Sequence, residues 1–183
     1  MGGGNKALLP IGGRPIVERV SDVLRGIFAR NIVVTNSPED FEFLGFPMFG
    51  DLIPGRGSLG GLYTGLKVCE RDYGLLVACD MPFLNRNVVI YMLERADDYD
   101  VIVPRISGLL EPLHAIYSRR CLLHIEQLFA EGDLTIINFF QKANVLEIPE
   151  EELKVFDPRF LFIMNVNTPD DLRKARELVK GME

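Results

Sequence analysis

Along the chain, short apolar runs alternate with stretches in which apolar residues recur at every third or fourth position. The run that organises the rest is 75–84, LLVACDMPFL: Leu75 to Ala78 are apolar or small, and Cys79, Asp80, Met81 and Pro82 follow. A continuous apolar run without polar alternation predicts a strand covered on both faces, as in parallel sheets. Pro82 cannot donate to a ladder, so this strand is predicted to stop near Asp80. Further short runs predict strands at 32–35, 46–49, 100–104, 113–117, 145–148 and 160–163. Ile16, Val17, Val20, Val23, Leu24, Ile27 and Phe28 have helical spacing, with Pro15 suited to the first turn. The same spacing predicts helices through Leu62, Leu66 and Cys69, through Val88, Met92 and Ala96, and through Cys121, Ile125 and Phe129. A shorter helix is predicted at 134–140, capped by Asp133 or Thr135. Ser58 is the predicted cap of the helix through Leu62. The last helix is predicted from Thr168 as cap, with Pro169 first and acids in the first turn, to about Lys180. Strands and helices in alternation predict an α/β fold, a three-layer arrangement around a mostly parallel sheet. Without repeats, low-complexity tracts or linkers, residues 1–183 read as one domain.

Composition narrows the function classes. The formal net charge of -6 argues against a nucleic-acid surface, which needs a basic field, but leaves room for a small phosphorylated ligand held by a few cations. No apolar run approaches the ~20 residues of a membrane helix, and the chain's first residues lack the charged-then-apolar layout expected of a secretory signal. Three cysteines without C-x-x-C spacing predict neither a disulfide framework nor a zinc site; they fit the cytoplasm, as small buried residues.

The candidate chemistry lies where strands end. Asp80 sits at the carboxyl end of a central strand, the edge where open α/β sheets bind ligands. It reads either as the start of a turn before Pro82 or as a Mg2+ ligand, since Mg2+ takes one or two carboxylates and fills its shell with phosphate and water. Met1 to Leu9, MGGGNKALL, reads either as a loose terminus or as a phosphate loop with Lys6 as a point charge. Asn36 follows a strand, as turn former or as a polar group at the Asp80 edge. Asp51 follows another strand. Residues 54–62, PGRGSLGGL, are glycine-rich and feed a helix, which makes an anion or nucleotide site. His114 and His124 read as structural or surface residues. No Ser/His/Asp or Cys/His arrangement can be assembled from the spacing.

Taken together, these stretches resemble one family, the molybdenum cofactor guanylyltransferases. Gly2 and Lys6-Ala7-Leu8-Leu9 resemble the end of the family's N-terminal glycine-arginine-lysine signature. Asn36, Asp51 and residues 54–61 resemble its asparagine, its acidic residue and its glycine loop. Cys79-Asp80-Met81-Pro82 resembles the Cys-Asp-x-Pro metal motif. Residues 111–117, EPLHAIY, resemble the Gln-Pro-Leu segment, and Asn165-Val166-Asn167-Thr168-Pro169 the Asn-x-Asn-Thr-Pro. The resemblance implies a Rossmann-like nucleotidyltransferase fold and transfer of GMP from MgGTP to the terminal phosphate of molybdopterin. Carried over by position, Asp80 is catalytic and holds Mg2+, and Lys6 is catalytic and contacts the nucleotide phosphates. Asn36, Asp51, Gly57, Leu59, Gly60 and Gly61 join them in the GTP site, and Asn165 and Asn167 face the acceptor. GTP and molybdopterin are the implied substrates. Molybdenum-insertion proteins and molybdoenzyme chaperones are the implied protein partners, with no nucleic acid and no membrane.

The family opens with a strand and a Leu-Ala-Gly-Gly loop ahead of the point where this chain starts. The first strand is therefore expected to be missing, with a gap between 32–35 and 75–79 and roughly 15–20 further residues upstream, one short strand plus a loop. Rival readings are a molybdopterin cytidylyltransferase, a sugar-phosphate nucleotidyltransferase, or a truncated nucleotide-binding relative without turnover. Cys79 and the Leu59-Gly60-Gly61 turn favour guanine within the resemblance.

Overall fold

The computed structural model describes residues 5–182. In chain order its elements are β1 (Pro10–Ile11), β2 (Arg14–Pro15), α1 (Ile16–Arg25), β3 (Val33–Val34), β4 (Met48–Phe49) and α2 (Gly57–Val68). Then come β5 (Tyr73–Val77), α3 (Arg86–Leu93), β6 (Val101–Ile106), β7 (Leu109–Leu110) and β8 (His114–Ser118). The chain closes with α4 (Cys121–Glu131), β9 (Val145–Pro149), α5 (Glu150–Leu153) and α6 (Pro169–Lys180).

The main sheet has the order β5-β8-β6-β7, with β9 on the other side of β6 along part of its length. β5, β6 and β9 run in one direction, and β8 is inserted between β5 and β6 against them. Side chains alternate across this sheet with the strand period of two. Val101, Val103, Ala115 and Tyr117 face one core beneath α2 and α4. Ile102, Ile106, Ile116 and Ile148 face a second core with α3 and α5. Helices therefore cover both faces, and the expected three-layer α/β fold is the one observed. Ser107 and Gly108, both at positive φ, close the two-residue hairpin between β6 and β7. A smaller core of Ile11, Ile16, Val166, Ala175 and Val179 joins the two ends of the chain.

Several expectations need correction. β5 is only half-buried along its length, whereas β8 is buried throughout. The reason is lateral: among the described residues β5 pairs with β8 alone, while β3 and β4 form a separate parallel pair. Among the described residues no strand bridges β3 and β5, and the sheet is interrupted where the gap was expected. Residues 160–163 are not a strand. Phe160 adopts left-handed backbone, φ 50°, and Leu161–Ile163 form one 3-10 turn. Residues 136–142 are likewise 3-10 rather than α-helical, started by Asp133, which accepts from Thr135 N and Asn138 Nδ2. Ser58 caps nothing, because α2 begins one residue before it, after Arg56 and without a side-chain cap. Of the cysteines only Cys121 is buried; Cys69 is half-buried and Cys79 exposed. Thr168 and Asp171 form the capping box that starts α6.

Candidate active site

Asp80 lies just past the end of β5. The ladder runs one residue beyond the strand, Ala78 N donating to Leu113 O at 3.0 Å, and then the chain turns away. Met81 and Leu84 are buried and anchor that turn, and Asn85 caps α3 by accepting from Asn87 N and Val88 N. Asp80 is thereby held at the carboxyl edge of the sheet, half-buried. Its main-chain oxygen accepts from Val166 N at 3.0 Å. Two residues on from Val166, Thr168 starts α6, and between them stands Asn167.

Lys6 reaches the same place from the chain start. Asn5 caps the 3-10 turn Lys6–Leu8, accepting from Ala7 N, and Ala7 is buried beneath it. Lys6 Nζ donates to Asn167 Oδ1 at 3.1 Å. Lys6 also acts on Asp80: burial pushes the carboxyl above its ordinary range, and its own main-chain N–H and the lysine charge pull the other way. Asp80, Lys6 and Asn167 thus form one cluster. Asn165 stands beside it, half-buried, its amide donating to Ile163 O at 3.3 Å.

Among the described residues no group of three or more His, Cys, Asp or Glu gathers to cage a metal. A lone carboxylate kept partly from water, with its charge incompletely balanced, fits Mg2+, which needs one or two protein carboxylates and completes its octahedron with phosphate and water. Asp80 is the residue of this cluster that could hold it.

A second cluster forms between β3, β4 and α2. Asn36 Nδ2 donates to Asp51 Oδ2 at 2.8 Å, and Asp51 N donates to Asn36 Oδ1 at 2.9 Å, a reciprocal lock across the ends of the two strands. Leu52 N donates to the buried Thr64 Oγ1 at 3.0 Å, which ties the Asp51 loop to the middle of α2. Gly55 and Gly57 have φ of 75° and 54°, the region that L side chains rarely adopt, so the loop into α2 requires glycine. Gly60 is needed for packing: a Cβ there would lie 2.8 Å from Arg56 Cβ. Gly61, one residue on, would meet nothing within 4 Å. Leu59 is buried in the main core, so only its backbone can reach a ligand. The uncapped start of α2 presents N–H groups and the positive end of the helix dipole.

The expected residues therefore fall into two groups, Lys6, Asp80, Asn165 and Asn167 in one, and Asn36, Asp51, Gly57, Leu59, Gly60 and Gly61 in the other. No hydrogen bond joins the groups among the described residues. Gly2 lies outside the described residues. Sequence reasoning missed Thr64, a polar residue on the buried face of a helix, and Asp157, whose carboxylate organises the segment leading to Val166. It also gave no weight to Tyr117, a buried phenol that donates to Pro112 O at 2.7 Å and fixes the turn before β8. For Thr64 and Tyr117 the signal was a polar residue at a position where the periodicity demands burial; Asp157 stands outside any periodic run and carries no such signal.

Comparison with known proteins decides the family. A family model described as the MobA-like NTP transferase domain matches residues 1–145. The chain belongs to the MobA-like NTP transferase family. It is 36% identical over 181 residues to a molybdenum cofactor guanylyltransferase of Desulfosudis oleivorans, covering 98% of this chain and 90% of that one. A probable molybdenum cofactor guanylyltransferase of Pelotomaculum thermopropionicum is 37% identical over 179 residues, covering 98% and 87%. Among solved structures, molybdopterin-guanine dinucleotide biosynthesis protein A from Archaeoglobus fulgidus superposes with a TM-score of 0.85 at 26% identity, covering 98% of this chain and 93% of that one. The Rossmann-like nucleotidyltransferase architecture and the transferase class follow from these matches.

Proposed function

We propose that this chain transfers GMP from MgGTP to the terminal phosphate of molybdenum-bound molybdopterin. A terminal phosphate oxygen of the acceptor attacks the α-phosphorus of GTP, a new P–O–P linkage forms, the α–β bridging bond breaks, and diphosphate leaves with the electron pair. The single observation that carries this reading is the cluster at the end of β5: Asp80, with its charge incompletely balanced, beside Lys6, which bonds Asn167. Transfer at phosphorus is promoted mainly by positioning and charge neutralisation, and these residue types supply both.

Asp80 would hold Mg2+, which supplies a Lewis acid for the phosphate oxygens. Lys6 would contact the nucleotide phosphates. The reciprocal Asn36–Asp51 pair and the start of α2 from Gly57 to Gly61 would form the GTP site, with the α2 N–H groups available to an anion. Asn165 and Asn167 would face the acceptor. The whole chain then works as one domain. The substrates and the unpaired cysteines suit the cytoplasm.

The test is a transfer assay with labelled GTP, CTP and ATP against molybdopterin, following dinucleotide and diphosphate. GTP should be used well ahead of the others, because a pocket that pairs one base edge leaves buried groups unmatched with another, at ~1–3 kcal/mol each. Preference for CTP would replace this reading with a cytidylyltransferase. Binding of GTP without turnover would replace it with a non-catalytic relative.

A further inference from the structure

Between α5 and α6 the chain crosses from one side of the molecule to Asp80 with only the 3-10 turn Leu161–Ile163 as regular structure. It is nonetheless fastened at four points. At its base Asp157 is 8% exposed. Asp157 Oδ2 accepts from Phe162 N at 2.9 Å, Oδ1 from Arg159 N at 3.3 Å, and its main-chain oxygen from Phe160 N at 3.0 Å. In the middle, the buried Phe162 ring meets the buried His114 ring edge-on, centroids 4.8 Å apart. His114 belongs to β8 and pairs with Val77, the last residue of β5. At the tip, the buried Val166 donates to Asp80 O at 3.0 Å, and Asn167 accepts from Lys6 at 3.1 Å.

Two features of this arm are costly in isolation. A carboxylate is buried with main-chain N–H groups as its hydrogen-bond partners. Such a group is tolerated only where those bonds are kept. Phe160, bulky and not glycine, is held at φ 50°, a strain of order 1–3 kcal/mol. Both are reconciled by the same carboxylate: Asp157 binds the N–H groups on either side of Phe160 and so fixes the left-handed turn.

We propose that Asp157 is a positioning residue for the transfer site. Its carboxylate sets the 160–167 arm, and through Val166 and Asn167 it fixes the main chain at Asp80 and the amides offered to the acceptor. The kinetic consequence rests on the transferase function proposed above; the positional one does not.

Asp157→Ala removes both accepting oxygens, and Asp157→Asn keeps the shape but leaves one oxygen for two N–H donors. Two measurements decide. Amide hydrogen exchange compares Val166 with Val101 and Val103 in β6. Steady-state kinetics with molybdopterin is set against GTP binding by calorimetry. Exchange at Val166 should quicken at least about tenfold, roughly 1.4 kcal/mol of local opening, with the β6 amides unchanged. The acceptor KM should rise by a similar factor while GTP affinity stays within about twofold. A residue that merely supports the fold would speed both sets of amides and weaken both substrates together; that result overturns the proposal. So does unchanged exchange at Val166. If Asp157→Ala does not fold, Asp157→Asn decides on the same comparison. Wild-type protein without GMP transfer would remove the proposed function and leave the exchange result to judge Asp157.

Discussion

At the carboxyl end of β5, Asp80 stands above the ordinary carboxylate range because burial disfavours its charge, and Glu111, ahead of β8 at the same edge, is raised by burial alone. At the opposite end of the sheet, Asp100 stands below that range: burial would raise it, but Arg120 Nε at 2.5 Å and Asn144 N at 2.9 Å more than reverse this. Its neighbour across the same 630 Å³ groove, Glu126, is lowered by bonds from Lys67 and Tyr63. One end of the sheet satisfies its acids from within. The other keeps a carboxylate whose charge a ligand can neutralise, and this is the arrangement expected of a site that works on metal-bound phosphates.

The difference is broken most directly at Asp80. Asp80→Asn keeps the shape and removes the charge, so turnover should fall by about three orders of magnitude or more. The same change should leave the protein without ligands slightly more stable at neutral pH. The sign follows from linkage: a carboxyl raised in the folded state binds its proton more tightly there, so its ionised form above that pKa opposes folding. The gain is on the order of a fraction of a kcal/mol, because the group is only half-buried and water still screens it. Near-normal activity at saturating Mg2+ would end the metal role. A large loss of stability would show that Asp80 belongs with the paired acids instead.

His114 and Asp100 separate the two ends by pH. His114 is fully buried, both ring nitrogens lack a partner among the described residues, and burial lowers its pKa to about 3. Below 6.5 the unfolded chain takes up a proton that the folded one refuses, so its stabilising share is complete above 6.5 and drains away as pH falls toward 3. Denaturant unfolding should lose about 1.4 kcal/mol per pH unit across that window, and His114→Leu should flatten the slope by that amount. An unchanged slope would mean that the ring finds a partner. Asp100, lowered from 3.8, gives stability that is complete above 3.8 and is lost only as pH falls below it. Asp100→Asn should cost about 1–3 kcal/mol at pH 7 through its two hydrogen bonds. Transfer activity should be untouched. Loss of activity with stability intact would move the working edge to this end of the sheet.

How far the sequence carries depends on where each signal resides. Asp80 was legible because an apolar run and a proline bracket it, and the capping box at Thr168 because its partners lie three residues apart. β6 and β8 were legible as strands from their short apolar runs, but the reversed direction of β8 was not, because nothing in residues 113–117 marks which way a strand runs. Residues 160–163 misled for a definite reason: four apolar residues look like a strand, and the carboxylate that bends them, Asp157, stands outside the run. The burial of β5 misled because an apolar run reports what a strand could bury, while its lateral neighbours decide what it does bury. The reciprocal Asn36–Asp51 lock spans fifteen residues, and no periodicity announces it. Ser58 was a sound cap by residue type, but α2 begins at Gly57, one residue before it, and no side-chain cap bond forms.

The smallest effect tests the comparison within a single turn of α2. Gly60 and Gly61 are adjacent, and the fold treats them oppositely. A methyl on Gly60 would collide with Arg56 Cβ at 2.8 Å and approach Ile53 O at 3.4 Å, so Gly60→Ala should destabilise. A methyl on Gly61 would meet nothing within 4 Å, and the residue lies inside a helix, where alanine is favoured over glycine by up to ~1 kcal/mol. Gly61→Ala should therefore raise the melting temperature by about 2–4 °C, as expected for a domain of this size. If the start of α2 receives the nucleotide, the same methyl should intrude on it and weaken GTP binding, measured by calorimetry on the same samples. A more stable protein with weaker GTP binding would mark Gly61 as a glycine kept for the ligand and not for the fold. A more stable protein with unchanged binding would take Gly61 out of the nucleotide site and leave the Asn36–Asp51 side to carry recognition of the base.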